Sequence, residues 1–390
     1  MKVSIGSKFV DGPFGGGNLF VKNLSKYLIK NGVNVVNDLS DSDIDIILII
    51  NPLKSSEMST FNHLDAYYYK QYVNKESIIL QRINECDERK NTTNVNRQIM
   101  NANHYADYTI YVSKWINDLF IKKGLNNKNS KVILSGSDIQ HFNQQDRVKW
   151  DGSSKFRLVT HHWSPNWMKG FDSYKIIDDL LDNPKWAERL TFTYIGNIPK
   201  NFKFKNTEVL EPLSESLLAS KLKTYHGYIT GSLNEPSGNH HIEAMQCGLP
   251  VLFIDSGGIP EYCTGFGEVF DNGNLEEKLK YFINNYFDYF EKLSGYKNNS
   301  EIMCKEYYDL FCELDRLQVK PESNYVKKNN FIFLLEYYFS KTYVYLSKSF
   351  NQMKKIAKTF VYVKNSNVKY FDLAFDNSNE KKKFTLNQFF

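Results

Sequence analysis

Hydrophobic positions along the chain fall into short runs separated by stretches of helical spacing. Lys2–Ser7 alternates as a strand does, and further β-type runs follow at Ile44–Ile50, Ser77–Gln81, Tyr108–Val112 and Val132–Leu134. Between them lie helical patterns, including one with Leu19, Phe20, Leu24, Tyr27 and Leu28 on one face and another over Trp115–Lys123. The irregular stretch Asp11–Gly17 precedes the first helix, with Asn18 as its expected N-cap and Gly32 as its stop. A polar break at Asp146–Lys155 separates this unit from a second one of the same layout. There, strands are expected at Phe156–Thr160, Leu190–Ile195, Gly227–Thr230 and Val251–Asp255, and helices near Phe171–Leu181, Ser214–Lys223 and Asn239–Cys247. Alternating strands and helices predict mainly parallel sheets covered on both faces. Two such units place a ligand in the cleft between them, at the carboxyl ends of strands. After Asp271 the pattern is helical only, at Leu275–Leu293 and Ile302–Leu314.

Composition narrows the class. The 390 residues are 42% hydrophobic, enough for real cores, and suggest two domains with an appendage. The longest aliphatic stretch, Ile44–Ile50, is interrupted by Asp45 and is too short to span a bilayer. Met1–Asp11 lacks a secretory pattern, so a cytoplasmic location is expected. Five scattered cysteines form neither a disulfide framework nor a CxxC pair. Net charge is +5, yet residues 320–390 hold 13 basic and 5 acidic side chains, leaving 36 basic and 39 acidic before them. A slightly acidic body does not call for nucleic acid as a partner.

Candidate chemistry concentrates in Asn234–Pro250, where a strand end runs into a turn and then a helix starting near Asn239. Glu235 lies in the turn and Glu243 within the helix, seven residues between them, so both can face one cleft. Between them the backbone N–H groups of a helix N-terminus suit a diphosphate. Carboxylates beside a phosphate site make sense if they serve ligand hydroxyls; a capping acid plus a surface Glu is the plainer reading of the same residues. Glu235–Glu243, with Glu-Pro-Ser-Gly, Glu-Ala-Met and Cys-Gly-Leu-Pro around it, resembles the E-x7-E signature of family-4-like retaining glycosyltransferases of GT-B fold. Asp255–Glu261 resembles the motif that follows, whose Gly-Gly-Ile-Pro-Glu turn closes the nucleotide site, and Gly15–Gly17 resembles the N-terminal glycine loop. The likeness runs to about Asp315.

This resemblance implies two Rossmann-like domains, 1–150 on the acceptor side and 151–319 for the nucleotide sugar with closing helices, and then a basic, aromatic helical extension at 320–390. It implies that Glu243 binds ribose hydroxyls, that Glu235 holds the donor sugar, and that amides around Ser237, Gly238 and Asn239 contact sugar and phosphates. Gly16 and Gly17 would approach the donor. Lys169 would neutralise the leaving diphosphate. The family's usual Arg just before it is absent, since Trp163 and Ser164 stand there, and His161, His162 or Arg82 could substitute. Asp87, with Glu85 in reserve, is the candidate acid facing the cleft from the first domain; a plain polar loop is the alternative. Retention without a metal or other cofactor is implied.

Other patterns carry less. Asp41-Ser-Asp43 and Asp43-Ile-Asp45 spell a metal-binding D-x-D but lead straight into a strand, whose entrance they are expected to cap. Gly15-x-Gly17 fails as a dinucleotide fingerprint because Phe20 takes the third glycine position. The pairs His161-His162 and His240-His241 are expected to diverge, which disfavours zinc. The tail mixes aromatic residues and lysines over Phe331–Phe339 and Tyr343–Phe360, a composition that can rest on an anionic membrane face or form a helical subdomain. The expected partners are thus a nucleotide sugar, a glycan or lipid-linked acceptor, and a membrane surface touched by 320–390. Two further readings stay open: a nucleotide-sugar-binding scaffold without catalysis, and a GT-B-type epimerase.

Overall fold

The computed structural model describes residues 1–8, 15–52, 58–125, 128–317, 333–343, 345–346, 349, 370–373 and 382–385. The first sheet holds β1 (Lys2–Ile5), β2 (Asn34–Val36), β3 (Ile46–Ile49), β4 (Ile78–Ile83), β5 (Tyr108–Tyr111) and β6 (Ser130–Val132), in the order β2-β1-β3-β4-β5-β6. Its helices are α1 (Gly15–Lys30), α2 (His63–Tyr72), α3 (Val95–Asn103) and α4 (Lys114–Lys122). The second sheet is built from β7 (Phe156–His162), β8 (Leu190–Gly196), β9 (Glu208–Leu210), β10 (Gly227–Thr230), β11 (Val251–Ile254) and β12 (Gly267–Phe270), ordered β12-β11-β10-β7-β8-β9. With it go α5 (Phe171–Leu180), α6 (Pro184–Ala187), α7 (Glu215–Leu222), α8 (Asn239–Gln246) and α9 (Ile259–Cys263). Then come α10 (Leu275–Asn284), α11 (Tyr286–Lys292) and α12 (Ser300–Arg316). All pairings in both sheets are parallel.

Central strands such as β3, β4, β10 and β11 are buried along their whole length, as helices on both faces require. The order of the second sheet is that of the dinucleotide-binding α/β fold, and its direction of winding reverses between β7 and β10. In the first sheet the reversal falls between β1 and β3. Both reversals open a crevice at the carboxyl ends of their strands, which is where the cavity described below lies.

Three strands escaped the hydrophobic pattern: β2, β9 and β12 are edge strands of three or four residues with half-exposed positions. The single helix expected over Leu275–Leu293 is two helices, because the chain breaks at Asn285. The glycine stretch is also corrected. Gly15–Gly17 form the first turn of α1 rather than a loop, and Asn18 sits inside the helix. Helix α12 returns to the first sheet, where Met303, Cys304, Tyr307, Leu310, Phe311 and Leu314 pack with Val3, Ile5, Phe20 and Leu24.

Residues Met1–Val326 form one compact unit and Lys327–Phe390 another. In the latter, residues 333–343 are helical, while Tyr370–Leu373 and Lys382–Thr385 pair as antiparallel strands. The extension is therefore not helical throughout, since its aromatic-rich end forms a ladder instead. Most of the Tyr343–Phe360 segment and all of 11–14 lie outside the described residues. Among the described residues no helix is long and apolar enough to cross a membrane.

Because α12 fills the core of a sheet that precedes it by some 200 residues of chain, truncating its fully buried Phe311 should be costly. Phe311→Ala is expected to lower unfolding stability by about 3–5 kcal/mol, read from denaturant midpoints at unchanged slope.

Candidate active site

A cavity of about 410 Å³ lies between the two sheets' carboxyl ends, within the size range of small-molecule sites. From the second sheet its wall includes His161 and His162 at the end of β7, Trp163 and Ser164 just after it, Gly196 at the end of β8, Lys169, and the turn into α8. From the first come Gly16 and Leu19 of α1 and Arg89 and Lys90 of the loop after β4.

Strand β10 ends at Thr230, and the chain turns back over the sheet through Asn234, whose φ of 51° is left-handed. Gly257 and Gly258 pack against that turn so closely that a Cβ on either would fall 2.3–2.5 Å from backbone atoms of Glu235 or Pro236. Gly258 N–H donates to the Glu235 carbonyl at 2.8 Å. Gly238 then caps α8 at φ 77°, with His240, His241 and Glu235 all within 2.9 Å of where a Cβ would sit. Only glycine fits there. The turn thereby fixes Glu235, and α8 carries Glu243 to the same cavity.

Glu235 is buried and ionically bound on both sides. Lys169, from the single turn before α5, donates to Oε2, and Arg89 Nε lies 2.8 Å from Oε1. Burial pushes the Glu235 pKa up, but Arg89 and then Lys169 outweigh it and bring it down to about 2. Lys169 is itself lowered by burial, against the pull of Glu235. Glu243 is held by His161, whose Nε2 lies 2.9 Å from Oε2.

The four histidines meet rather than diverge, because the end of β7 and the first turn of α8 are neighbours. Ring centroids of His162 and His240 are 4.5 Å apart, and those of His240 and His241 4.8 Å. Burial drives His162 and His240 well below the usual imidazole range and His241 to about 3, so these three are neutral at physiological pH. His241 Nε2 is buried without a hydrogen-bond partner. Among the described residues, the one group of three or more His, Cys, Asp or Glu whose ligand atoms lie within 4.8 Å of each other is Asp138, His141 and Glu215. The D-x-D carboxylates are engaged elsewhere: Asp41 and Asp43 bind Lys2 Nζ, and Asp45 accepts the Lys2 N–H at 2.6 Å.

The other expected residues divide. Gly16, Gly238 and Asn239 line the cavity; Ser237 and Gly17 do not. A Cβ on Gly16 would meet the Asn239 side chain at 2.8 Å, whereas one on Gly17 would meet nothing within 4 Å. Asp87 is a correction. Its carboxylate accepts from Thr92 Oγ1 and from the N–H groups of Val95 and Asn96 at 2.6–2.9 Å, capping α3. These bonds lower its pKa against the effect of burial, and its side chain does not line the cavity. Glu85 is taken up by Arg89 and Lys90. Of the stand-ins for the missing Arg, Arg82 lies over the Phe20 ring at 4.1 Å and outside the cavity, His161 serves Glu243, and His162 is neutral. Arg89 was missed; its signal is a cation in a loop at the carboxyl end of a central strand. Glu261, the last residue of the Asp255–Glu261 motif, accepts the N–H groups of Lys114 and Trp115 at 2.7 Å and caps α4 across the cleft.

Residues 200–301, which contain both glutamates, match the model of the family Glycosyl transferases group 1. That match spans about a quarter of the chain, and the chain as a whole has the GT-B fold. Solved structures similar to this chain include the sucrose-phosphate synthase of Thermosynechococcus elongatus, at 12% identity and TM-score 0.57, covering 80% of this chain and 98% of that one. The Anabaena protein HepE in complex with UDP-glucose matches at 13% identity and TM-score 0.58, covering 80% and 100%. The lipopolysaccharide outer core galactosyltransferase WaaB matches at 14% and 0.58, again covering 80% and 100%. No curated protein matches the chain by sequence.

The Glu235 carboxylate has a pH signature. Its folded-state pKa lies below the ordinary 4.5, so its ion pairs stabilise the fold above that value and cease to do so as pH falls toward 2. Wild type should therefore lose on the order of 3 kcal/mol across that interval through this group. Glu235→Gln, less stable at neutral pH, should show a correspondingly flatter acid limb in urea melts.

Proposed function

We propose that the protein moves a sugar from a nucleotide diphosphate sugar to an acceptor hydroxyl, with retention of anomeric configuration and without a metal. The observation that carries this reading is the convergence of Glu235, Glu243 and Lys169 on one cavity beside the N-terminus of α8. A helix N-terminus and an ammonium favour the diphosphate, and two carboxylates are suited to hydroxyls of ribose and sugar. Glu243, fixed by His161, would take the ribose; Glu235, near the leaving-group cation, would take the donor sugar. Gly16 brings α1 against Asn239, so the donor would lie between two helix N-termini. Support for a nucleotide sugar also comes from the Anabaena neighbour, which is seen with UDP-glucose.

Surface glycan or glycolipid synthesis belongs to the same proposal, with a glycan or lipid-linked acceptor. The 13 basic and 5 acidic residues of 320–390 support peripheral contact with an anionic leaflet, on the inner face of the membrane. Removing 327–390 is expected to abolish co-sedimentation with phosphatidylserine vesicles while leaving sugar-nucleotide turnover in solution.

Titration with UDP, GDP and ADP, followed by incubation with the matching hexose donors, tests the reading directly; binding without any turnover or donor cleavage would remove the catalytic claim. The anomeric proton coupling of the product reports retention. Glu235→Gln should slow transfer at least tenfold more than it weakens nucleotide binding. Glu243→Ala should raise the nucleotide Kd roughly tenfold, as loss of a charge-assisted hydrogen bond does, with a smaller effect on kcat.

A further inference from the structure

The cations of the cavity are unevenly distributed. Lys169 is the one contributed by the second sheet's side, while Arg89 and Lys90 both come from the loop after β4 in the first. The wall after β7 offers Trp163, Ser164 and a neutral His162. Lys90 is half exposed and tied to Glu85 at 2.7 Å. Arg89 differs from it. Its Nη1 donates to Glu85 at 2.8 Å, which aims the guanidinium, and its Nε approaches Glu235. That approach has ionic distance but not hydrogen-bond alignment, so the buried Nε–H has no acceptor. Lys169 and Arg89 thus hold one carboxylate from opposite sides of the cleft, with donor capacity left over on the arginine.

We infer that Arg89 is the second leaving-group cation, delivered across the cleft by the first domain and parked on Glu235 until the donor arrives. The inference rests on the glycosyltransferase reading above and adds to it a residue, a swap and a dependence on closure. When the donor binds, Glu235 takes sugar hydroxyls and the guanidinium fork turns to phosphate oxygens, a geometry it fits in bidentate fashion. The bond from C1 to the diphosphate oxygen then breaks and its electron pair stays on that oxygen. The acceptor oxygen bonds to C1, and its proton passes to the departing phosphate. Arg89 and Lys169 stabilise the charge that grows there and exchange no proton themselves. Because Arg89 belongs to the first domain and Lys169 to the second, the full charge is assembled only when the cleft is closed, which protects the donor from water in the open state.

The test uses the full chain and whichever of UDP-, GDP- or ADP-hexoses the wild type turns over. Arg89→Ala should lower kcat by about 10²–10³-fold, the usual cost of one donor at a developing charge. It should also erase the preference for the nucleoside diphosphate over the monophosphate while leaving monophosphate affinity within threefold. Added guanidinium ion should restore part of kcat in Arg89→Ala and none in Lys169→Ala, and Arg89→Lys should fall between. An unchanged kcat overturns the inference. So does equal loss of mono- and diphosphate binding without guanidinium rescue, which would mark Arg89 as structural. A wild type that binds no nucleotide overturns the underlying reading instead, and is distinguishable because it needs no variant.

Discussion

A carboxylate buried as deeply as Glu235 stays ionised only if the protein supplies charge at close range, and here the two charges come from different domains. The rest of the site follows from that constraint. Lys169 must sit on a tight turn that points back over β10, and the left-handed Gly170 that ends the turn packs against Gly231, with a would-be Cβ 2.5 Å from its carbonyl carbon. Arg89 must be held in a loop that crosses the cleft, which Glu85 and the Asp87-capped entry to α3 accomplish. Both cations draw the pKa of the acid down against its burial. The ion pair therefore also joins the two sides of the closed cleft.

Other contacts reinforce that closed arrangement without entering the cavity. Glu261 and Tyr262, on one short helix, reach the first domain through the α4 N-terminus and the Val112 carbonyl, the latter at 2.5 Å. Asn234 reaches the Glu88 carbonyl at 3.3 Å. Each of these is a hydrogen bond worth little on its own. The buried Glu235 clamp is the expensive one to break and the one a ligand can replace in kind.

How much of this the sequence disclosed depends on the range of the interaction concerned. Glu235, Gly238 and Glu243 were readable because a strand end, a positive-φ glycine and a helix start lie within a dozen residues, and local geometry fixes their relation. The two sheets were readable from buried runs, except at edge strands β2, β9 and β12, where few residues are buried. Asp87 and Arg89 stand two residues apart in one polar loop, and nothing local separates the capping acid from the cation that crosses the cleft. That choice is made by the partner surface, 146 residues further on. The histidine pairs failed for the same reason, since their convergence depends on β7 lying next to β10 in the sheet order.

Charge balance explains why the histidines should be neutral. The cavity is lined by Arg89, Lys90 and Lys169 and by Glu215, Glu235 and Glu243, equal numbers of each sign. A diphosphate entering such a cavity adds negative charge that side chains do not offset in advance. What remains is the positive end of two helices, α1 at Gly16 and α8 at Asn239, which meet at the cavity and carry partial charge that no titration can remove. Three more imidazolium charges would bind the diphosphate tightly in the ground state and after cleavage alike, holding back product. Burying His162, His240 and His241 as neutral rings leaves the full positive charges of the cavity on Lys90, Arg89 and Lys169, the last two flanking Glu235. In the proposed transfer, stabilisation would then be concentrated where charge develops rather than spread over the whole ligand, which is the condition for lowering a barrier instead of merely deepening a binding well.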